Sequence, residues 1–322
     1  MSDIRVGVVR GGTGPEYHVS LASGARVLAN LPEGYKPVDI WISKDGLWHV
    51  KGVPVRPEDA IRQADVIFSA LHETDRRGEH DDPIRLAHDH KMPHVGPDVF
   101  ASSITANKVL SRDYFRKHDI KTPRGRVLRG PAEVEQVAFE VFNLYSPPWV
   151  VKPSRGGSSF GVTLVYTYPE LLRAIQEALK HDDTVLIEEF IDGKEITCCV
   201  IEADGLAKSF PPLEIEKPPH KKIFDHALKY ETGDYKLRLD SLSERERHKV
   251  EETALRAHAS LGLSGYSRTD FIMTSHGHLY VLETNARPAL GPLALFPKAL
   301  EVVAVPFPEF IEHVLVLARR PR

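Results

Sequence analysis

Short apolar runs separated by a helical pattern dominate the first hundred residues. IRVGVVRGG, PVDIWIS and ADVIFSAL are read as buried strands, and the first of them ends in a glycine turn. Between the first two runs, SLASGARVLANL has apolar residues at helical spacing. Strands that alternate with helices predict an open α/β sheet with helical crossovers, which we assign to residues 1–97.

A second unit is expected over residues 98–183. A helix is predicted at residues 105–118, and PELLRAIQEALK is an amphipathic helix further on. Between these helices, the runs WVVKPS and GVTLVY flank a loop of glycines and serines and are read as strands. The spacing therefore predicts a small mixed unit whose two strands present a loop of small residues.

A third unit is expected over residues 184–322, giving a mixed α/β (α+β) chain. Its first two strands, TVLIEEF and KEITCCVIEA, are joined through Asp192-Gly193, a dipeptide that favours a hairpin turn. Residues 211–240 are rich in proline, lysine and charge and are interpreted as a long mobile segment. Helices are predicted at residues 242–262 and in the final PFPEFIEHVLVLARR.

The most informative stretch is GYSRTDFIMTSHGHLYVLETN, two apolar runs joined by a short turn. It places Arg268 and Asp270 on one predicted strand and Glu283 and Asn285 on the next. Strand residues two apart point to the same face, so one face would hold a cation, two carboxylates and an amide. Such oxygen ligands suit magnesium, whereas a hairpin with a surface salt bridge is the alternative.

Two further stretches carry candidate binding residues. In VVKPSRGGSSFGV, Lys152 precedes a small-residue loop containing Ser158, whose amides and hydroxyls could approach a phosphate; a plain flexible hairpin is the alternative. Lys108 begins a predicted helix and would ordinarily lie on the surface. In VLIEEFIDGKE, Glu188 or Glu195 could bind a ribose beside an adenine-binding hinge, or the acids could simply be solvated. The residues alone do not choose between these.

Polar residues also follow the first and last strands of the N-terminal unit. Glu16 and Ser20 come just after the first strand, and His72 ends another apolar run. Ligand sites in open α/β sheets lie beyond the carboxyl ends of the strands, so these residues are candidates for substrate binding. A helix-capping role for Glu16 and a structural hydrogen bond for His72 are the alternatives.

The composition narrows the function further. The net charge of −3 and the lack of a basic tail argue against nucleic acid as a partner. No apolar stretch approaches the roughly 20 residues that span a bilayer, and the early first strand leaves no room for a signal peptide. Cys198 and Cys199 are adjacent on a predicted strand and should pack on opposite faces without a disulfide. A cytoplasmic protein is therefore expected.

In combination, these motifs resemble the ATP-grasp superfamily and, more narrowly, the D-alanine–D-alanine ligase family. The resemblance rests on GGTGPEYHVSLASG, ALHETDRRGEH, NKVLSRDYF, VVKPSRGGSSFGV, EEFIDGKE, FDHALKY and RTDF with LETNARP, and it covers about residues 4–300. It implies an ATP-grasp architecture of three domains, with ATP between the second and third. It also implies small amino-acid substrates and a homodimer.

The resemblance assigns roles to individual residues. Lys108 and Lys152 look like lysines that reach the nucleotide phosphates, and Lys229 and Tyr230 lie on what the family uses as a lid. The adenine hinge would be Glu188, Glu189 and Ile191, and the ribose acid would be Glu195. Two Mg²⁺ ions, or Mn²⁺ in their place, would be bound by Asp270, Glu283 and Asn285. Arg268 would stabilise the oxyanion. A hydrogen-bonded catalytic set would consist of Glu16, Ser158 and Tyr230. The amino-acid substrates would be contacted by His72, Ser20 and Leu295.

The departures from the family pattern concern the substrate side. Ala294 replaces a serine that would bind the second substrate's carboxylate, and Ala289 replaces a glycine. The stretch that follows His72 also differs from the family pattern. Asn107 stands where the family usually has aspartate. Arg287 could replace the lost carboxylate contact or point to solvent, which is the favoured interpretation. We therefore expect D-alanine–D-alanine ligation or a close variant, with a specialised-pathway ligase or a non-catalytic nucleotide-binding protein as alternatives.

Overall fold

The computed structural model describes residues 3–72, 82–157 and 159–320, with the side chains of residues 230 and 231 outside that description. The strands are β1 Ile4–Gly11, β2 Tyr35–Ile42, β3 Trp48–Val50, β4 Val53–Val55, β5 Val66–Ser69, β6 Gly125–Arg129, β7 Trp149–Pro153, β8 Thr163–Val165, β9 Thr184–Glu189, β10 Lys194–Ala203, β11 Leu206–Ser209, β12 Leu213–Glu216, β13 Lys236–Arg238, β14 Tyr266–Met273 and β15 Leu279–Asn285. The helices are α1 Tyr17–Ala29, α2 Pro57–Ile61, α3 Pro83–Asp89, α4 Val99–Thr105, α5 Lys108–Lys117, α6 Val134–Leu144, α7 Tyr168–Leu179, α8 Glu244–Ser260, α9 Leu295–Val302 and α10 Phe307–Ala318.

The first sheet confirms the predicted open α/β unit. Its strand order is β4-β3-β2-β1-β5, and β1 pairs in parallel with both β2 and β5. The crossover α1 lies close to β1 because Gly24 has no side chain: a Cβ there would lie 2.6 Å from the Cβ of Arg10. The carboxyl ends of β1 and β5 therefore meet at one edge, beside the start of α1.

The second sheet has the antiparallel order β6-β9-β7-β8. Residues 184–189, which the sequence analysis placed in the third unit, pair here with β6 and β7. The predicted hairpin at Asp192-Gly193 is wrong, because β9 and β10 belong to different sheets. Gly193 serves a close approach instead, since a Cβ there would lie 2.2 Å from the carbonyl oxygen of Met273.

The third sheet has the order β13-β12-β10-β14-β15, with β11 added to β10. The interpretation of residues 211–240 as a long mobile segment is wrong, because they contain β12, a π-helical turn at Leu228–Thr232 and β13. Leu213 and Ile215 alternate with charged residues on β12 and are buried, which anchors this strand. The strand signal was present in the sequence but was masked by the surrounding charge.

Two apolar cores join distant parts of the chain. Helix α10 and Phe296 of α9 pack in one core with Val8 of β1 and Phe68 of β5, so the C-terminal helices cover the first sheet. Cys199 belongs to that core, whereas Cys198 belongs to a second core that includes Phe271 of β14 and Val250 of α8. Both cysteines are free and buried, which confirms that they pack on opposite faces. None of the described helices has the length and apolar character needed to cross a membrane.

Candidate active site

A deep cleft lies between the second and third sheets. Its empty space, including the part open to solvent, is about 780 Å³. One end is apolar and is formed by side chains that include Val150, Phe190, Ile191, Ile272 and Leu282. The other end is charged and is formed by side chains that include Lys108, Lys152, Lys229, Asp270 and Glu283. A flat apolar group joined to a polyanion would match both ends of this cleft.

The β14–β15 hairpin forms the floor of the charged end. The predicted strands pair with Arg268 opposite Asn285 and Asp270 opposite Glu283. The Arg268 guanidinium donates two hydrogen bonds to the Asp270 carboxylate, of 2.9 and 2.8 Å, and Thr197 donates a third of 2.7 Å. All three side chains are buried, so the alternative of a surface salt bridge is wrong.

Glu283 is held in its charged form. Burial alone raises the pKa of this carboxyl, but the surrounding positive charges of Lys229, Lys108, Arg268 and Lys152 outweigh burial and lower its pKa to about 2. An adjoining hollow shares Lys108 and Glu283 with the cleft and adds Asn285. The anionic Glu283 and the nearby amide thus remain available to a cation.

The donor set fits a hard divalent cation. Among the described residues, no three His, Cys, Asp or Glu side chains come together as a metal site. Asp270, Glu283 and the Asn285 amide would supply only part of a coordination shell, which would suit Mg²⁺ because this ion usually keeps water and phosphate ligands. The buried amide nitrogen of Asn285 has no hydrogen-bond partner within the described part of the chain, as expected where an acceptor of a ligand, such as a phosphate oxygen, completes the site.

Lys108 reaches the cleft because its helix is anchored on the glycine-serine loop. The Asn107 side chain caps α5 by accepting from the amides of Val109 and Leu110, and the Ser154 hydroxyl donates to the same oxygen at 2.9 Å. The Lys108 ammonium donates to the carbonyl oxygen of Gly156. The surface alternative for Lys108 is therefore wrong, and asparagine serves as the cap where aspartate is usual.

Glu188 lies in a buried charge cluster at the back of the cleft. Its carboxylate is 2.6 Å from the Lys152 ammonium and 3.3 Å from the Arg112 guanidinium. Arg112 also donates to the carbonyl oxygen of Pro123, and burial lowers the pKa of its guanidinium. The sequence analysis missed Arg112, although it stands one helical turn after Lys108 on the buried face of α5.

The remaining acids of this region have different partners. Glu195 lines the cleft beside Lys217, whose ammonium lies 2.5 Å from its carboxylate, and burial raises the pKa of Glu195. Glu189 pairs with the exposed Arg124 at 2.7 Å. Glu188 has two cations against it, Lys152 and Arg112, whereas Lys217 is the one ion-pair partner of Glu195 among the described residues. Glu195 therefore keeps more acceptor capacity for a ribose than Glu188 does. Lys217 was missed because the segment around it was read as mobile.

The N-terminal candidates meet at the carboxyl edge of the first sheet. Ser20 is buried and its hydroxyl accepts a 2.9 Å hydrogen bond from the Gly11 amide, which fixes the glycine turn. His72 Nδ1 lies 3.1 Å from the Arg287 carbonyl oxygen and Nε2 lies 3.1 Å from the Ser23 hydroxyl. Glu16 is buried at the start of α1. Ser158 and the side chain of Tyr230 lie outside the described residues.

The acceptor loop, residues 286–294, connects β15 to α9. Its Ala289 and Ala294 are buried, and because both are alanines they bring methyl groups to this region in place of a bare backbone and a hydroxyl. The expectation that Arg287 points to solvent is wrong: its guanidinium is buried, donates to the Ser69 hydroxyl at 3.3 Å and lies 3.8 Å from Asp82. It faces the end of β5, a contact that local spacing does not reveal.

Comparison with known proteins identifies the family. The family model described as D-ala D-ala ligase C-terminus matches residues 123–316. A D-alanine–D-alanine ligase of Halalkalibacterium halodurans is 33% identical over 98% of this chain and 99% of the relative. A D-alanine–D-alanine ligase of Geobacter sulfurreducens is 34% identical over 98% of this chain and 94% of the relative.

Solved structures give the same fold. A D-alanine–D-alanine ligase of Bacillus anthracis complexed with ATP has a TM-score of 0.78 and 25% identity, covering 98% of this chain and 97% of that one. A D-Ala:D-Ser ligase of Enterococcus faecalis has a TM-score of 0.82 and covers 98% of this chain and 99% of that one. Because its sequence identity is 24%, this likeness supports the fold alone. These likenesses confirm the predicted ATP-grasp architecture. The chain belongs to the D-alanine–D-alanine ligase family of ATP-dependent ligases.

Proposed function

We propose that this protein joins the carboxylate of D-alanine to the amine of a second D-alanine, or of a closely related acceptor, at the expense of ATP. The observation that carries the proposal is the set of Arg268, Asp270, Glu283 and Asn285 on the paired strands β14 and β15, beside a cleft that Lys108, Lys152 and Lys229 also line. The chain's membership of the ligase family supports the reaction class.

The two ends of the cleft suit the parts of ATP. The apolar end would hold the adenine next to Ile191, and Glu195 would meet the ribose hydroxyls. Lys108, Lys152 and Lys229 would meet the phosphates, while Asp270, Glu283 and Asn285 would bind Mg²⁺ or Mn²⁺. A bound divalent ion would neutralise charge on the phosphoryl oxygens, which is the main requirement of phosphoryl transfer.

The side chains support two successive steps. In the first, the substrate carboxylate attacks the γ-phosphate, giving an acyl phosphate and ADP while the lysines neutralise phosphoryl charge. In the second, the acceptor amine attacks the activated carbonyl and phosphate leaves, forming the amide. The Arg268 guanidinium and the amides near Gly157 would stabilise the tetrahedral oxyanion between attack and departure. Glu16 would orient the ammonium of the first amino acid, and His72, Ser20 and Leu295 would shape the substrate pocket.

The acceptor is the less constrained part of the proposal. Ala289 and Ala294 lack the backbone approach and the hydroxyl that the family pattern supplies to the second substrate. These replacements favour, as a second candidate, a ligase that accepts a different amine in a specialised pathway. The cleft proposed for ATP, called the nucleotide end below, would be the same for D-alanine and for a different acceptor amine.

The test is a coupled measurement of phosphate release and dipeptide formation. Purified protein with ATP, Mg²⁺ and D-alanine should release phosphate and form D-alanyl-D-alanine, detected by mass spectrometry, and omission of D-alanine provides the blank. Phosphate release only after addition of another amine from a panel would favour the second candidate. ATP binding without turnover across the whole panel would refute ligation and revive the non-catalytic alternative.

A further inference from the structure

The lid segment, residues 217–235 between β12 and β13, forms one wall of the cleft. Ile223, Phe224 and Lys229 of this segment line the cleft directly. Phe224 is buried, and its carbonyl oxygen accepts a 3.0 Å hydrogen bond from the Ser159 hydroxyl of the glycine-serine loop. One side of the lid segment is thus fixed to the second sheet.

The other side is fixed to the acceptor loop through Tyr235. The Tyr235 hydroxyl donates a 2.9 Å hydrogen bond to the carbonyl oxygen of Leu293. Lys298 of α9 donates to the same hydroxyl at 2.7 Å, and its ammonium lies 4.2 Å from the ring centroid. A single hydroxyl therefore joins the end of the acceptor loop, the helix that follows it and the lid segment.

Ring contacts extend this connection to the charged end of the cleft. The Tyr235 ring meets Phe224 edge to face, with centroids 4.9 Å apart, and the Lys229 ammonium lies 5.2 Å from the Phe224 centroid. Leu295, the first residue of α9, packs in one apolar cluster with Phe224 and Leu228. The acceptor side and the phosphate-binding lysine are thus linked by consecutive contacts.

We propose that Tyr235 is a positioning residue that couples acceptor binding to closure of the lid segment. An acceptor that settles the acceptor loop would hold Leu293 and Lys298 in place, and through Tyr235 would hold Phe224 and Lys229 over the reacting groups. This deepens the proposed function and rests on it, because the coupling matters only if an acyl phosphate forms.

The chemical reason for such coupling is competition between water and the amine. Amine attack on the acyl phosphate breaks the carbonyl carbon–oxygen bond to phosphate and forms the amide, with release of a proton. Water attack breaks the same bond and returns the free carboxylate, so ATP is consumed with no amide formed. A lid segment that closes only around a bound acceptor suppresses the second course.

The test compares phosphate released with dipeptide formed in Tyr235→Phe and Lys298→Met. The first variant keeps the ring contacts and removes the hydroxyl, and the second removes the donor on α9. Each should raise the ratio of phosphate to dipeptide about three- to tenfold, the size expected for losing one or two hydrogen bonds. Tyr114→Phe is the matched control, since Tyr114 is a half-buried tyrosine with a lysine near its ring but lies on α5.

The outcomes separate the two proposals. A wild-type ratio near one that rises in both variants but not in the control supports the coupling. An unchanged ratio in both variants overturns it, as does an equal loss of phosphate and dipeptide rates with a lower melting temperature, which indicates packing alone. Failure of the wild-type protein to turn over any amino acid refutes the proposed function, and the coupling with it.

Discussion

The nucleotide end of the cleft and the acceptor loop are held in different ways. At the proposed nucleotide end, the candidate side chains stand on paired strands, as Asp270 does opposite Glu283, or at a helix start, as Lys108 does. The acceptor loop is held mainly by other units: the Ser23 hydroxyl accepts from the Leu290 amide at 3.0 Å, and Arg26 donates to the Gly291 carbonyl oxygen at 3.3 Å.

This difference suggests that the residues for ATP-dependent activation and the residues that select the acceptor are held independently. Backbone pairing fixes the charged residues whatever the acceptor is, so the activation step can persist while the acceptor changes. The acceptor loop depends on contacts with α1 and the end of β5, and its residues depart from the family pattern. The following predictions test whether the two regions are separable in this way.

The largest expected effect is at Arg268. Arg268→Met should lower kcat about 100- to 1,000-fold, because it removes the proposed donor to the oxyanion and leaves the Asp270 carboxylate buried without its guanidinium partner. Rates of phosphate release and dipeptide formation measure it. Arg238→Met, at an exposed ion pair with Glu216, is the control and should retain activity. A loss under tenfold at Arg268 would contradict the assigned role.

Lys152 should affect both stability and nucleotide binding. Lys152→Met leaves Glu188 buried with only Arg112 as a charged partner, and should cost about 3 kcal/mol in the free energy of unfolding, measured by urea titration. The double variant Lys152→Met with Glu188→Gln should recover part of that stability but not the affinity for ATP. Recovery of both would mean that the lysine serves the buried ion pair and not the nucleotide.

Ala294 should affect the acceptor alone. Ala294→Ser restores a hydroxyl at the start of α9 and should lower KM for D-alanine as acceptor by up to about tenfold, with KM for ATP unchanged. Ala203→Ser, at the end of β10 remote from the cleft, is the control. An equal change in both KM values would show that the two ends of the cleft are not separable.

The smallest effect concerns the pH dependence of stability at His72. Burial lowers the pKa of His72 in the folded protein, so below the unfolded pKa the unfolded chain binds a proton that the folded one does not. This residue therefore makes stability fall as pH drops from about 7 to 5, by at most about 1.4 kcal/mol per pH unit. His72→Gln should flatten the slope of melting temperature against pH. His276→Gln, on an exposed turn, should not, and equal slopes for both variants would contradict the prediction.

The sequence predicted the first sheet, the β14–β15 hairpin and the face that its four candidate residues share. It failed at Asp192-Gly193, because a turn signal does not say whether the next strand pairs with the previous one or joins another sheet. It also missed Arg112 and Lys217, whose partners Glu188 and Glu195 lie 76 and 22 residues away along the chain.

What the sequence determined by itself is therefore the local part: strand periodicity, helix starts and the order of charged residues on one hairpin. These follow from backbone geometry, which repeats every two residues in a strand and every 3.6 in a helix. Only the tertiary structure decided that Arg287 turns inward to Ser69, that Glu188 pairs with Lys152 and that Tyr235 meets α9. Such contacts depend on how separate units pack, and no local periodicity encodes that.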